Sequence, residues 1–232
     1  MTHAGGKPRI GLVQFPGSNC DMDCFDALRR QVPVLDRLAS EQGIDAIHSL
    51  EDAVPLLFPH TVYKSYPLSL LERGQFDRLT RWLDGLTALD LGKVDTSGVD
   101  SIDAWIRRLD EQTDMRLLHT FGTTGKLSFM PRMREHWIQS TTLTAHAIRD
   151  WNGYGSGPDL MSARLPMVQP GYRYGAGATY RGVEAMVKLW AGGDDNALFL
   201  YPHDYFSADI ASLAGRLRAA EARGEQGTRE RS

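Results

Sequence analysis

The stretch that most constrains this chain is residues 118–130, LHTFGTTGKLSFM. The apolar runs MRLLHTF and KLSFM read as strands, and the GTTG between them reads as a bend. Whatever packs around that bend must accept two strands returning side by side. Its glycines permit close backbone approach, while hydroxyls, amides and one lysine gather within a few residues. Such a bend is either a plain hairpin turn or a cradle for a phosphate.

The rest of the sequence supplies mostly helices before the bend and alternating elements after it. RIGLVQF, residues 9–15, predicts a strand that PGSN ends, and DMDCFDALRR a helix with acids first and bases last. Pro33 interrupts, VLDRLASEQG resumes the helix, and Gly43 ends it. Ser49 with Asp52 offers a capping box before AVPLLF, and Pro67 and Gly74 bracket the helix YPLSLLERG. Phe76, Leu79, Trp82, Leu83 and Leu86 recur at helical spacing, and Asp100 with Asp103 would cap SIDAWIRRLDEQ. Beyond the bend, REHWIQSTTLTAHAIRDW predicts a helix, residues 152–182 a long loop, GVEAMVKLWAGG a short helix and ALFLYP a compact buried strand. SADIASLAGRLRAAEARGE is amphipathic, with Ile210, Leu213, Leu217 and Ala220 on one face, and the tail EQGTRERS reads as disordered. This order predicts an α/β fold, a helical lead-in followed by an α/β core.

Bulk properties narrow the function classes. With 232 residues and 42% hydrophobic content, the chain can bury one good core, or a core and a small appendage. A net charge of -3 leaves no basic surplus to neutralise a polyanion, so nucleic acid is not an expected partner. Cys20 and Cys24 are too few for a disulfide scaffold or a four-ligand zinc site and read as reduced thiols. No run has the length of a membrane span, and MTHAGGKPRI lacks a signal core, so the expected location is cytoplasmic.

Nucleotide-binding patterns test the bend further. A Walker loop needs four residues between its glycines, whereas Thr123 and Thr124 alone separate Gly122 from Gly125, and Leu127 follows Lys126. GAGATYRG, residues 175–182, has the wrong spacing for a dinucleotide fingerprint. HTFGTTGKLSF instead resembles the phosphate-binding loop of the adenylate-forming superfamily, on its acyl-protein synthetase and phenylacetate–CoA ligase side. More loosely, the resemblance extends over about residues 32–223. It implies that ATP with Mg2+ activates a small carboxylic acid to an acyl-adenylate, as in acid–thiol ligases. Thr120, Thr123 and Thr124 would then offer hydroxyls to the ATP phosphates, Gly122 and Gly125 close backbone approach, and Lys126 charge. Phe121 stands where the family has a second hydroxyl, and Ser128 where many members have lysine. The family's later aromatic–Gly–x–Thr–Glu segment and its lid with a catalytic lysine have no match after residue 130, which implies a partial ligase-type core with reduced or absent activity.

Residues 10–29, IGLVQFPGSNCDMDCFDALR, separately resemble the start of the glutamine amidotransferase part of phosphoribosylformylglycinamidine synthase, an enzyme of purine synthesis. Amidotransfer needs a nucleophilic cysteine on a downstream elbow, yet no cysteine follows Cys24, and PHD at 202–204 does not replace the family's closing H-P-E. The expected organisation is residues 1–31 as an amidotransferase-like start, 32–223 as the partial ligase-like domain, and 224–232 as a tail. A non-catalytic fragment is the third reading.

Several other side chains invite a functional role. His119 adjoins the bend and is either a ligand group or a hydrogen-bonded core histidine. His136 and His146 are too far apart on one helix to share a metal, and His203 beside Asp204 is a weak metal candidate. Tyr172, Arg173, Tyr174, Tyr180 and Arg181 are candidates to line a pocket for an acid or nucleotide. The charges of RLRAAEARGEQGTRERS read as a solvated helix face and tail.

Overall fold

A computed structural model describes residues 20–122, 125–151, 164–201 and 205–224. The strand expected over residues 9–15 and the tail beyond 224 lie outside them. The chain divides into two compact units, Met1–Phe58 with Asp84–Ala88, and Pro59–Leu83 with Leu89–Ser232. The expected boundary at residue 31 falls inside the first unit.

In that unit, helices α1 (Cys20–Gln31) and α2 (Pro33–Gln42) pack together. Val32 is extended between them, and Pro33 opens α2 at a position whose missing N–H costs nothing. Gly43 ends α2 in the left-handed conformation, its N–H donating to the carbonyls of Ala39 and Ser40. Ser49 and Asp52 form the expected capping box on the short helix α3 (Leu50–Ala53). Phe25, Ala39 and Leu56 are the buried residues of this small core.

The second unit holds the main core. Helix α4 (Ser69–Glu72) leads into α5 (Phe76–Asp84), which buries Phe76, Leu79 and Leu83 as their spacing predicts. Helix α6 (Ile102–Gln112) buries Ile102, Trp105, Ile106 and Leu109 against the same cluster. Trp105 is fully buried, and its indole N–H donates to Thr80 Oγ1 at 2.8 Å, which answers the one polar atom that burial strands. Strands β1 (Leu118–His119) and β2 (Phe129–Met130) then pair antiparallel, His119 opposite Phe129. Helix α7 (Arg134–Trp151) follows, as its sequence predicts.

Beyond α7 the described chain alternates. Strands β3 (Met167–Gln169) and β4 (Tyr174–Gly175) precede α8 (Ala178–Met186), which runs on into a π-helical turn, Val187–Ala191. Then come β5 (Ala197–Phe199), β6 (Tyr205–Phe206) and α9 (Ala208–Ala222). β3 pairs in parallel with β5, and β4 with β6, so the described strands join only two by two. The fold is a mixed α/β arrangement in which helices dominate.

Four expectations are corrected. The long loop expected over residues 152–182 contains β3, β4 and the start of α8 within its described part. Parallel pairing with partners about 30 residues on leaves no local turn signal to read. The strand in ALFLYP is not buried, since Leu198 is 58% exposed at the sheet edge. Ser101, not Asp100, caps α6, its hydroxyl accepting from the Ala104 N–H. Finally, α9 buries not the face of Ile210, Leu213 and Leu217, which are 68%, 52% and 38% exposed, but a face of small residues, Ala208, Ala211, Ser212, Gly215 and Ala220.

Asp103 and Asp209 explain how α6 and α9 are held. The Asp209 carboxylate accepts from the N–H groups of Ile102 and Asp103 at 2.8 and 3.0 Å, satisfying the start of α6. The Asp103 carboxylate in turn accepts from the Ala208 N–H at 2.9 Å and from the Ser207 hydroxyl at the start of α9. Each helix is thus capped by a carboxylate of the other. Asp209→Ala is expected to lower unfolding free energy by about 2 kcal/mol in urea titration, the upper range of a lost cap. Asp209→Asn, which keeps an acceptor oxygen, should recover part of it.

Candidate functional site

The bend is anchored on two sides. On one side, Tyr66 is fully buried, and its hydroxyl donates to the Leu127 carbonyl at 2.8 Å. Burial raises the Tyr66 pKa, so the phenol stays a donor. Lys126 Nζ donates to the Tyr66 carbonyl and lies 4.3 Å from its ring centroid. Burial first, and Lys64 second, lower the Lys126 pKa. On the other side, the bend rests on α9. A Cβ at Gly215 would stand 2.2 Å from the Gly122 carbonyl oxygen, and one at Gly125 would stand 2.9 Å from Ala219 Cβ.

Those distances, with the backbone angles, account for the glycines. Gly122 and Gly125 have φ of +64° and +86°, where a side chain is strained, and the Gly125 N–H donates to the Gly122 carbonyl at 2.8 Å. Thr120 Oγ1 accepts from the Ser128 N–H at 3.0 Å, and its own N–H donates to the Ser128 carbonyl at 3.1 Å. Thr123 and Thr124 lie outside the described residues. Phe121 turns toward Tyr180 and Phe206, with ring centroids 6.0 and 5.2 Å away.

A cavity of about 360 Å³ opens where Gly125 and Lys126 meet α9. Arg216 and Arg223 line it together with Lys126, and Glu72 is the acidic side chain among its lining. Arg216 Nη1 lies 3.9 Å from Glu72, a loose pairing, and its Nε is buried without a hydrogen-bond partner. The sequence reads these arginines as a solvated face, and Arg223 is exposed as expected while Arg216 is half-buried. Gly215 and Ala219 are the small residues of α9 that meet Gly122 and Gly125, and Arg216 and Arg223 line the cavity beside that contact.

Comparison with protein-family models, curated proteins and solved structures found no match.

His119 stands behind the bend, fully buried. Its Nδ1 donates to the Thr120 carbonyl at 2.8 Å, which fixes the neutral tautomer and leaves Nε2 a buried acceptor without a partner. The other sequence candidates separate. Tyr172 and Tyr180 join Phe206 in an aromatic group, while Arg173 and Tyr174 turn to Asp194, at 2.8 and 3.1 Å. Arg181 pairs with Asp110. Tyr174 and Arg181 share the lining of one cavity with Asp110 and Tyr205, but Tyr172, Arg173 and Tyr180 are not among its lining. His136 is exposed on α7, and His203 lies outside the described residues. Among the described residues no group of three metal-ligating side chains occurs. Cys24 lies within α1.

Two outcomes are expected. Gly215→Ala should destabilise the protein by about 3 kcal/mol in thermal or urea unfolding, because the added methyl meets backbone that cannot step aside. Burial, the largest influence on His119, lowers its pKa below the ordinary 6.5. Above pH 6.5 both folded and unfolded forms are neutral and stability is full; as pH falls below 6.5 only the unfolded form takes up a proton. His119 should thus cost up to about 1.4 kcal/mol per pH unit below pH 6.5, and His119→Phe should flatten that slope in urea titrations at pH 7 and 5.5.

Proposed function

We propose that the bend of residues 118–130 forms the edge of a polyphosphate site, and that ATP is its ligand in a chain of adenylate-forming type. The observation that carries this is the gathering of Lys126, Arg216 and Arg223 around one cavity at Gly125, with Glu72 as the acid in its lining. Lys126 and Arg216 against the one carboxylate of Glu72 leave a surplus positive charge that a polyphosphate would neutralise. The unpartnered Arg216 Nε is a donor already withdrawn from water, so an oxyanion there would regain what burial cost. The lowered pKa of Lys126, held near Lys64, would be restored by the same anion.

The roles divide among the residues. Gly125 allows the backbone to approach the phosphates, Lys126 and Arg216 hold their charge, and Tyr66 fixes Lys126 through both carbonyl and ring. ATP, when bound, supplies the anhydride that activates a carboxylic acid in enzymes of this type. Mg2+ fits this cavity less well, because Glu72 already faces Arg216. The resemblance of residues 10–29 to an amidotransferase start gains no support from the described part of that segment.

Isothermal titration of ATP and of tripolyphosphate is the direct test. Both should bind, with affinity falling at higher salt, and Lys126→Ala and Arg216→Ala should each weaken binding about tenfold, the loss of one charge-assisted bond. Absence of binding, or undiminished binding by a Lys126→Ala, Arg216→Ala double variant, would refute the site. ATP–pyrophosphate exchange across a panel of carboxylates then tests acid activation by itself: no exchange with any acid would leave binding and remove the ligase reading.

A further inference from the structure

A second cavity, of about 230 Å³, lies where the first turn of α7 meets α8 and the π-helical turn that follows it. It shares no lining residue with the Lys126 cavity. Arg116, Arg134, Arg181 and Lys188 line it, with Glu184 as the acid in the lining. Trp137, Ile138 and Leu189 supply an apolar wall.

The ion pairs here leave a remainder. Arg116 Nη2 lies 2.5 Å from Glu184 and its Nη1 3.4 Å from Asp110, while Arg181 pairs with Asp110 as well. Two arginines and two carboxylates therefore neutralise one another. Arg134 donates to the Asp110 backbone carbonyl at 2.6 Å, and neither it nor Lys188 has a carboxylate partner among the described residues. Two positive charges thus stand at an apolar cavity without counter-charge. Arg181 is only 8% exposed, yet its Nε has no hydrogen-bond partner.

The backbone adds an independent observation. A regular helix through residues 187–191 would rotate the following side chains onward, but the chain instead makes a π turn there, ended by Gly192 at φ +76°. That turn carries Lys188 and Leu189, the cation and the apolar contact that this segment gives the cavity. Widened turns of this kind are uncommon, and they recur where a side chain must be re-aimed at a functional site.

We propose that this cavity binds a small carboxylate with a compact apolar body. The arginine fork matches a planar carboxylate in two-point fashion, and Lys188 adds a second charge that swings to meet it. The apolar remainder of the ligand lies against Trp137, Ile138 and Leu189. At about 230 Å³ the cavity lies below the ~300 Å³ lower bound for drug-sized ligands, so the ligand is of the size of benzoate. This site does not depend on the ATP reading.

Benzoate titrated into the full chain, followed by the Trp137 indole N–H resonance, tests the proposal. The resonance is assigned by its loss in Trp137→Phe. Benzoate should move it saturably, and benzamide, the uncharged counterpart, should bind at least tenfold more weakly. Lys188→Gln, an exposed position that leaves the packing intact, should weaken benzoate at least fivefold, and Arg134→Gln with Lys188→Gln should remove binding without lowering the melting temperature by more than a few degrees. Lys126→Ala should leave benzoate binding unchanged, which separates this site from the ATP site. Equal binding of benzoate and benzamide, tighter binding of phenyl phosphate, or undiminished binding in a folded Lys188→Gln variant would overturn it.

Discussion

The contact between the Gly122 carbonyl and the backbone of α9 at Gly215 sets the terms for the second unit. No side chain fits between them, since even a methyl at Gly215 would lie 2.2 Å from the carbonyl oxygen. Close backbone approach of this sort is specific, because rotating α9 by one residue would place a larger side chain against the bend. The helix therefore presents its small face inward and leaves Ile210, Leu213 and Leu217 outside. The same rotation brings Arg216 and Arg223 to the edge of the bend. Packing and charge are consequences of one fit.

Other interactions hold that fit in place. The mutual capping of α6 by Asp209 and of α9 by Asp103 secures the start of α9, some two turns before Gly215. Burial raises the Asp209 pKa, but the two N–H groups it accepts from act against that, so the cap trades solvation for fixed partners. From the opposite side, the Tyr66 hydroxyl holds the Leu127 carbonyl, and the Tyr66 ring packs on Trp82 and Phe129 at 4.9 and 5.5 Å. Gly122, Gly125, Lys126 and Leu127 are therefore held in place from both sides, and electrostatic recognition of a charged ligand requires such fixed groups.

Local order was legible wherever periodicity and caps acted alone. α5, α7 and the Ser49–Asp52 box follow from spacing and from residues within one turn of each other. The α6 cap was misplaced by one residue, because Asp100 and Ser101 both suit the position and Asp103 serves α9 instead. The face of α9 was misread for a different reason. Its leucines mark an amphipathic helix by pattern, whereas burial is decided by a carbonyl nearly a hundred residues earlier in the chain. The parallel pairs β3–β5 and β4–β6 escaped for the same reason, since each strand is only two or three residues long and its partner is remote. In the loop, the glycines' left-handed backbone follows from the local sequence, while the approach of Arg216 and Arg223 to the same cavity as Lys126 required the tertiary contact.

The central claim is that the bend and α9 form one preorganised anion site. Amide hydrogen exchange with and without tripolyphosphate measures this most directly, because it reads both segments at once. Slowed exchange in residues 125–128 and in 213–223 together, at the same tripolyphosphate concentration, is the predicted result. Protection of one segment without the other, or of neither while the ligand is bound elsewhere, would contradict it.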